Sequence, residues 1–237
     1  MTAPARLRSW LTRIATHAYR HDGRWAGGLA AMAVAGALTG MLVDAAAEGR
    51  PQRFTARVVE AVQAASKPQP PRVLRWVGKD VDGDGAPDFV NPTGQAQRTS
   101  DAYGYGVFGA PRDGGTRPHL GVDFKATAGQ PVKAPISGFV TKIGFAYAGD
   151  TTLKFVEVTN PALHYKARVF YVDPKVEVGD AVHLGQPVGT SHTLQDKYPN
   201  GMTDHVHLEI TNPDGRKIDA ARVLTAYWAP VRNHAKG

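Results

Sequence analysis

No cysteine occurs in the 237 residues. That absence excludes disulfides, thiolate metal sites and cysteine nucleophiles together, and it leaves histidine and carboxylate as the groups able to hold a metal. A basic binding face is missing too. The formal net charge is +7, but Arg6, Arg8, Arg13, Arg20 and Arg24, less Asp22, place four of those charges in the first 24 residues. The rest of the chain is close to balanced, so no nucleic-acid partner is implied. Neither an internal repeat nor a low-complexity tract is present, and the length fits one folded domain with appendages.

What is present begins with an apolar run. From Trp25 to Val43, WAGGLAAMAVAGALTGMLV carries no charge, and at about 1.5 Å per residue a helix of this length nearly spans a hydrocarbon layer of roughly 30 Å. Arginines precede it, and Asp44 and Glu48 follow, the polarity of a cytoplasmic tail at 1–24 with the remainder exported to the periplasmic or cell-envelope side. Ala45, Ala46 and Ala47 offer a small-residue cleavage site, so a removed signal peptide competes with a retained membrane anchor at 25–43, and a buried Ala/Gly-rich helix is the third alternative. Within 44–72, FTARVVEAVQAA from Phe54 to Ala65 places Val58, Val59 and Val62 on one helical face, and KPQPPR from Lys67 to Arg72 forms a proline-stiffened spacer.

An acidic segment follows within 73–102. Asp80, Asp82 and Asp84 fill the first, third and fifth places of a calcium-loop pattern, Gly85 the sharp turn and Asp88 the ninth place. The twelfth is Asn91, where a bidentate glutamate would close such a loop. Weak Ca²⁺ binding and a solvated Asp-Gly turn are the two expectations. From about Tyr103 to residue 222 the chain alternates β-type runs such as FVEVT and RVFYV with Gly, Pro and Asn punctuation, which predicts a mainly β, compact antiparallel domain. Residues 223–237 read as a tail.

Three histidines stand in chemically telling company. In TDHVHLEI, Val206 and Leu208 alternate with His205, His207 and Glu209, so on a strand both imidazoles face one way. In RPHLGVD, His119 and Asp123 flank Gly121. One histidine and one aspartate from here, with one histidine from the strand, make a donor set suited to Zn²⁺ with a fourth position for water.

In their order and spacing, YGYGVFG, RPHLGVDF, AGQPVKAPISGFV, VEVGDAVHLGQPVG and DHVHLEI resemble the lysostaphin/LytM-type zinc endopeptidases, which cut peptide cross-links in peptidoglycan. The resemblance covers about Tyr103 to Asp219. It implies the family's duplicated hybrid motif fold, zinc ligands at His119, Asp123 and His207, a catalytic His205, and the peptidoglycan peptide as substrate. One departure is visible. Where the family has Tyr-x-His, this chain reads VFYVDP, so Asp173 takes the place of an imidazole, and an ionised carboxylate cannot donate a hydrogen bond to an oxyanion. This variant, with QDKYPNGMTDHVHLEI, is also similar to a vertebrate leukocyte-derived chemotaxin that shares the zinc fold and acts by binding. The alternative expectation is therefore a silent zinc domain that binds cell wall or regulates a wall-enzyme partner. His164, His192 and Tyr198 are the candidate substitutes for the absent histidine. Glu209 is expected to brace a ligand, and Arg117 either to meet a substrate carboxylate or to pair locally.

Overall fold

The computed structural model describes residues 71–231. The predicted cytoplasmic tail, the membrane segment at 25–43 and the Phe54–Ala65 helix lie outside the described residues, among which no helix is long and apolar enough to cross a membrane.

The described residues are mainly β, as the alternation predicts, with two 3-10 turns and no α-helix. The central sheet follows the order Ala181–Val182, Gly138–Tyr147, Asp150–Asn160, Tyr165–Phe170, His205–Thr211 and Lys217–Ile218, and Val122–Lys125 pairs with the first half of His205–Thr211. All these pairings are antiparallel. A three-stranded sheet of Val172–Pro174, Pro187–Ser191 and Pro131–Lys133 packs with it.

Period-two alternation explains which face is core. Along His205–Thr211, Val206, Leu208 and Ile210 are buried, and the neighbouring strands add Val156, Val158, Ala167 and Val169 beneath the same face. The opposite face therefore carries His207, Glu209, Arg168 and Phe170 across two adjacent strands, and the site is built there.

The segments at 73–102 and 223–230 differ from the sequence expectation of an approach segment and a tail. Arg72–Gly78 and Leu224–Pro230 pair along seven residues, Trp76 stands edge-on to Phe124 with ring centroids 5.2 Å apart, and Phe89 is buried in the core. The domain thus starts some thirty residues before the motif-bearing region. The pairing partners lie at opposite ends of the domain, a long-range contact that local punctuation does not reveal.

One charge network braces the sheet away from the site. Glu157, 4% exposed, accepts from Arg168 Nε at 2.5 Å and Thr141 Oγ1 at 2.9 Å, with Lys166 Nζ 3.5 Å away. Burial alone would raise the Glu157 pKa, but Arg168, Thr141 and Lys166 outweigh it and hold it below the usual carboxylate value. A depressed carboxylate contributes stability above its unfolded pKa and loses it as the pH falls through the folded value. We expect Glu157→Gln to cost about 1–3 kcal/mol at neutral pH. Chemical denaturation at a series of pH values should show the gap between the two proteins closing as the solution becomes more acidic than the ordinary glutamate range.

Candidate metal centre

Strand register assembles the centre. His207 sits directly opposite Asp123 in the pairing of His205–Thr211 with Val122–Lys125, so imidazole and carboxylate rise from one face as cross-strand neighbours. His119 arrives from the adjoining turn, which is fixed by His119 N donating to Ala110 O at 2.8 Å and Gly109 N donating to His119 O at 2.8 Å.

Three donor atoms converge. His119 Nε2 and His207 Nδ1 are 2.8 Å apart, His207 Nδ1 lies 2.9 Å from Asp123 Oδ1, and His119 Nε2 lies 3.2 Å from the same oxygen. Proton placement shows what the triangle lacks. His119 Nδ1 is 2.8 Å from the Val107 carbonyl and must carry the proton there, so a neutral His119 presents a bare lone pair at Nε2. His207 Nε2 faces Glu209 Oε1 at 3.6 Å, and with its proton on that side Nδ1 is a lone pair as well. Two lone pairs and a carboxylate pointed at one another suit a cation. Their separations approach the edge of about 3.3 Å in a tetrahedron of zinc bonds near 2.0 Å. The residues present therefore fit Zn²⁺.

Charge around the triangle supports that use. Asp123 is buried, and burial opposes its charge, yet with no cation bound and protons on the facing nitrogens, the ones a bound cation would displace, contacts with His119 and His207 hold it well below the usual range. Its second oxygen accepts from Arg98 Nη2 at 2.7 Å and Nε at 3.2 Å, and Arg98 also meets Asp101 at 2.7 Å. Arg98 was not singled out by the sequence, because its partner lies 25 residues away. Glu209 is half-buried, and His207 and Lys217 overcome that desolvation to bring its pKa down to about 2. At 3.6 Å from His207 Nε2, Glu209 braces the imidazole instead of joining the triangle.

His205 lies beside this group without entering it. Its Nδ1 is 2.6 Å from the Thr203 carbonyl and donates there, so Nε2, 3.7 Å from Asp123 Oδ2, is free to accept a proton. Burial lowers its pKa, with Asp123 opposing, and favours the neutral base.

The floor of the triangle leaves no spare room. A Cβ built on Gly121 would stand 2.6 Å from His207 Cε1, 2.7 Å from its Nε2 and 2.5 Å from the Leu208 carbonyl. Gly121→Ala must therefore displace the His207 ring or the strand, and we expect zinc affinity to drop about 10–100-fold, as when a supporting residue is lost. A competition titration against a chelator measures it.

A groove of about 690 Å³ opens over the triangle, and Tyr103, Arg112, Tyr147, Tyr171 and Tyr198 are among its walls. Of the candidate substitutes for the absent histidine, Tyr198 lines this groove. His164 is exposed in a turn with φ +56°. His192 Nδ1 lies 2.9 Å from Asp173 Oδ1, and this surface pair is not part of the groove lining. Asp173 therefore does not face the site. The residue of that stretch that does is Tyr171, which sequence alternation missed. Arg117 pairs locally with exposed Asp113.

The acidic loop is organised differently from the calcium pattern. Asp80, Asp82 and Asp88 each bring an oxygen within 4.8 Å of the others, and Asp84 is not part of that group. Their oxygens accept backbone N–H groups: Asp80 from Gly83 and Gly85, Asp82 from Asp84, Asp88 from Val81. Buried Asn91 is not turned to the loop, since its side chain closes a different turn by accepting from Thr93 and Gly94 and donating to Gln95. The solvated Asp-Gly turn accounts for these contacts without Ca²⁺.

Residues 117–220 match the model of peptidase family M23. The chain is similar to Myeloid protein 1 of Gallus gallus, at 31% identity over 50% of this chain and 36% of that protein. It is likewise similar to lysostaphin of Staphylococcus simulans, at 37% identity over 38% of this chain and 17% of that protein. It thus spans well under half of either relative. The solved catalytic domain of the antimicrobial peptidase lysostaphin from Staphylococcus simulans overlays 52% of this chain and 90% of its own, with 25% identity and a TM-score of 0.38.

Proposed function

Residues 117–220 are a peptidase family M23 domain of the lysostaphin/LytM type, and from that premise we propose that the chain is a zinc metallo-endopeptidase that cleaves peptide bonds of peptidoglycan on the outer side of the membrane. The observation that carries the proposal is the convergence of His119 Nε2, His207 Nδ1 and Asp123 Oδ1 with their lone pairs facing one point. These three atoms would hold the ion. Bound there, Zn²⁺ supplies a Lewis acid for the scissile carbonyl and lowers the pKa of a water toward about 7.

The chain's own groups do the rest. His205 Nε2 takes a proton from the attacking water, because its Nδ1 is committed to the Thr203 carbonyl. It later returns that proton to the leaving nitrogen. Arg98 keeps Asp123 ionised and fixed, and Glu209, itself tethered by Lys217 Nζ at 2.6 Å, fixes the His207 ring. Membrane attachment through residues 25–43 would keep the groove close to the wall.

A second reading is a silent domain that binds wall peptide or regulates a wall-enzyme partner. It is favoured by one observation: among the described residues the histidines lining the groove are His119, His205 and His207, so after the two ligands one imidazole remains there. Purified full-length chain carrying one zinc per molecule, incubated with peptidoglycan sacculi, separates the two. Hydrolysis predicts soluble fragments with new amino ends, suppressed by a chelator and restored by zinc. Sedimentation with the sacculi without new ends would support the silent domain and overturn the peptidase.

A further inference from the structure

The Tyr165–Phe170 strand alternates core and groove, with Ala167 and Val169 inward and Phe170 against His207. Regular alternation would send the next side chain into the core. Tyr171 instead has φ +65° and lines the groove. The left-handed conformation costs a bulky residue about 1–3 kcal/mol, so it persists only where surrounding structure enforces it. Here Tyr171 N donates to Lys154 O at 2.7 Å and Tyr171 O accepts from His192 N at 2.8 Å, holding the residue from both sides.

Its ring stands edge-on to His205, with centroids 5.3 Å apart and planes at 88°. Its hydroxyl is 2.8 Å from that of Tyr147, and Tyr198 lines the same groove. Paired hydroxyls can pass donation along, Tyr147 giving its bond to the Tyr171 oxygen so that the Tyr171 O–H points onward. Tyr171 is the member of the pair that stands against His205.

Resting on the peptidase reading, we propose that Tyr171 is a catalytic residue whose O–H donates to the oxyanion forming on the scissile carbonyl, and that Tyr147 is a positioning residue that orients it. The water oxygen bonds to the carbonyl carbon and the π pair moves to the carbonyl oxygen, where the Tyr171 O–H meets it. His205 Nε2 takes one water proton. On collapse the C–N pair leaves on nitrogen, which receives that proton from His205, giving a carboxyl group and an amine. Tyr171 keeps its proton throughout. Burial supports this, pushing its pKa up to about 12, so it is a neutral donor at neutral pH. It supplies what Asp173, turned to His192, cannot.

The test uses the full-length zinc-loaded chain, its Tyr171→Phe and Tyr147→Phe variants, soluble cross-linked muropeptides as substrate and a phosphinate pseudopeptide as a tetrahedral mimic. We expect Tyr171→Phe to lower kcat about 10²–10³-fold, the effect of losing one oxyanion donor, with KM, zinc content and Tm close to native and phosphinate affinity falling in step with kcat. Tyr147→Phe should lower kcat about 10-fold, since it removes the orienting bond and leaves the donor. A native chain that cleaves while Tyr171→Phe keeps kcat within about threefold overturns the tyrosine assignment alone. A zinc-loaded native chain that neither cleaves nor binds the phosphinate overturns it together with the peptidase reading.

Discussion

Asp123→Ala should leave the full-length chain unable to retain zinc, with affinity reduced by at least about 10³-fold, beyond the 10–100-fold cost of losing a supporting residue. The carboxylate is both the only anionic donor of the triangle and the partner of Arg98, through its two separate oxygens. Removing it exposes two faults together. His119 Nε2 and His207 Nδ1 are left 2.8 Å apart with opposed lone pairs, and among the described residues the buried Arg98 guanidinium keeps Asp101 as its one ion-pair partner, beside the Gly104 carbonyl. Breaking a buried pair in this way costs about 3–5 kcal/mol, the lower end applying because Asp101 remains. Asp123→Asn separates the faults. It preserves shape and one acceptor but no charge, so zinc affinity should still collapse while the loss of Tm is smaller than for alanine. Isothermal titration with Zn²⁺ and thermal unfolding of the metal-free proteins read the two effects independently.

His205→Ala should do the opposite to metal and rate. Zinc stoichiometry stays at one, because His205 is outside the donor triangle, while peptide release falls about 10²–10⁴-fold, the contribution of a positioned acid–base group. His205→Gln should be nearly as slow, since an amide cannot accept and return a proton. The residual rate should lose the dependence on a group titrating below the ordinary histidine range, the direction in which burial shifts His205. Full activity in His205→Ala would remove the proton carrier from the account.

Much of this arrangement was legible because it rests on strict periodicities. The alternation His205, Val206, His207, Leu208 fixes which side chains share a face before any partner strand is known, and the turn around Gly121 brings His119 and Asp123 within reach of it. What was not legible depends on contacts remote in sequence or on a broken period. Arg98 matters only through Asp123, and Trp76 only through Phe124, both placed by long-range pairing. Tyr171 escaped because a single left-handed residue moves its ring from the core face to the groove. The acidic loop answers only in part: its spacing fits calcium and Asp80, Asp82 and Asp88 converge, yet the same carboxylates accept backbone amides as a solvated Asp-Gly turn does, and Asn91 closes another turn.

The chemistry proposed for this groove is hydrolysis of a peptide bond in peptidoglycan. Its most direct test is mass spectrometry of sacculi digested by the full-length, zinc-loaded chain in water enriched in ¹⁸O. The account predicts fragments in paired ends, each new amine matched by a new carboxyl group carrying one ¹⁸O atom, absent after zinc is chelated. A chain that holds one zinc and binds sacculi but produces no ¹⁸O-labelled ends would contradict it.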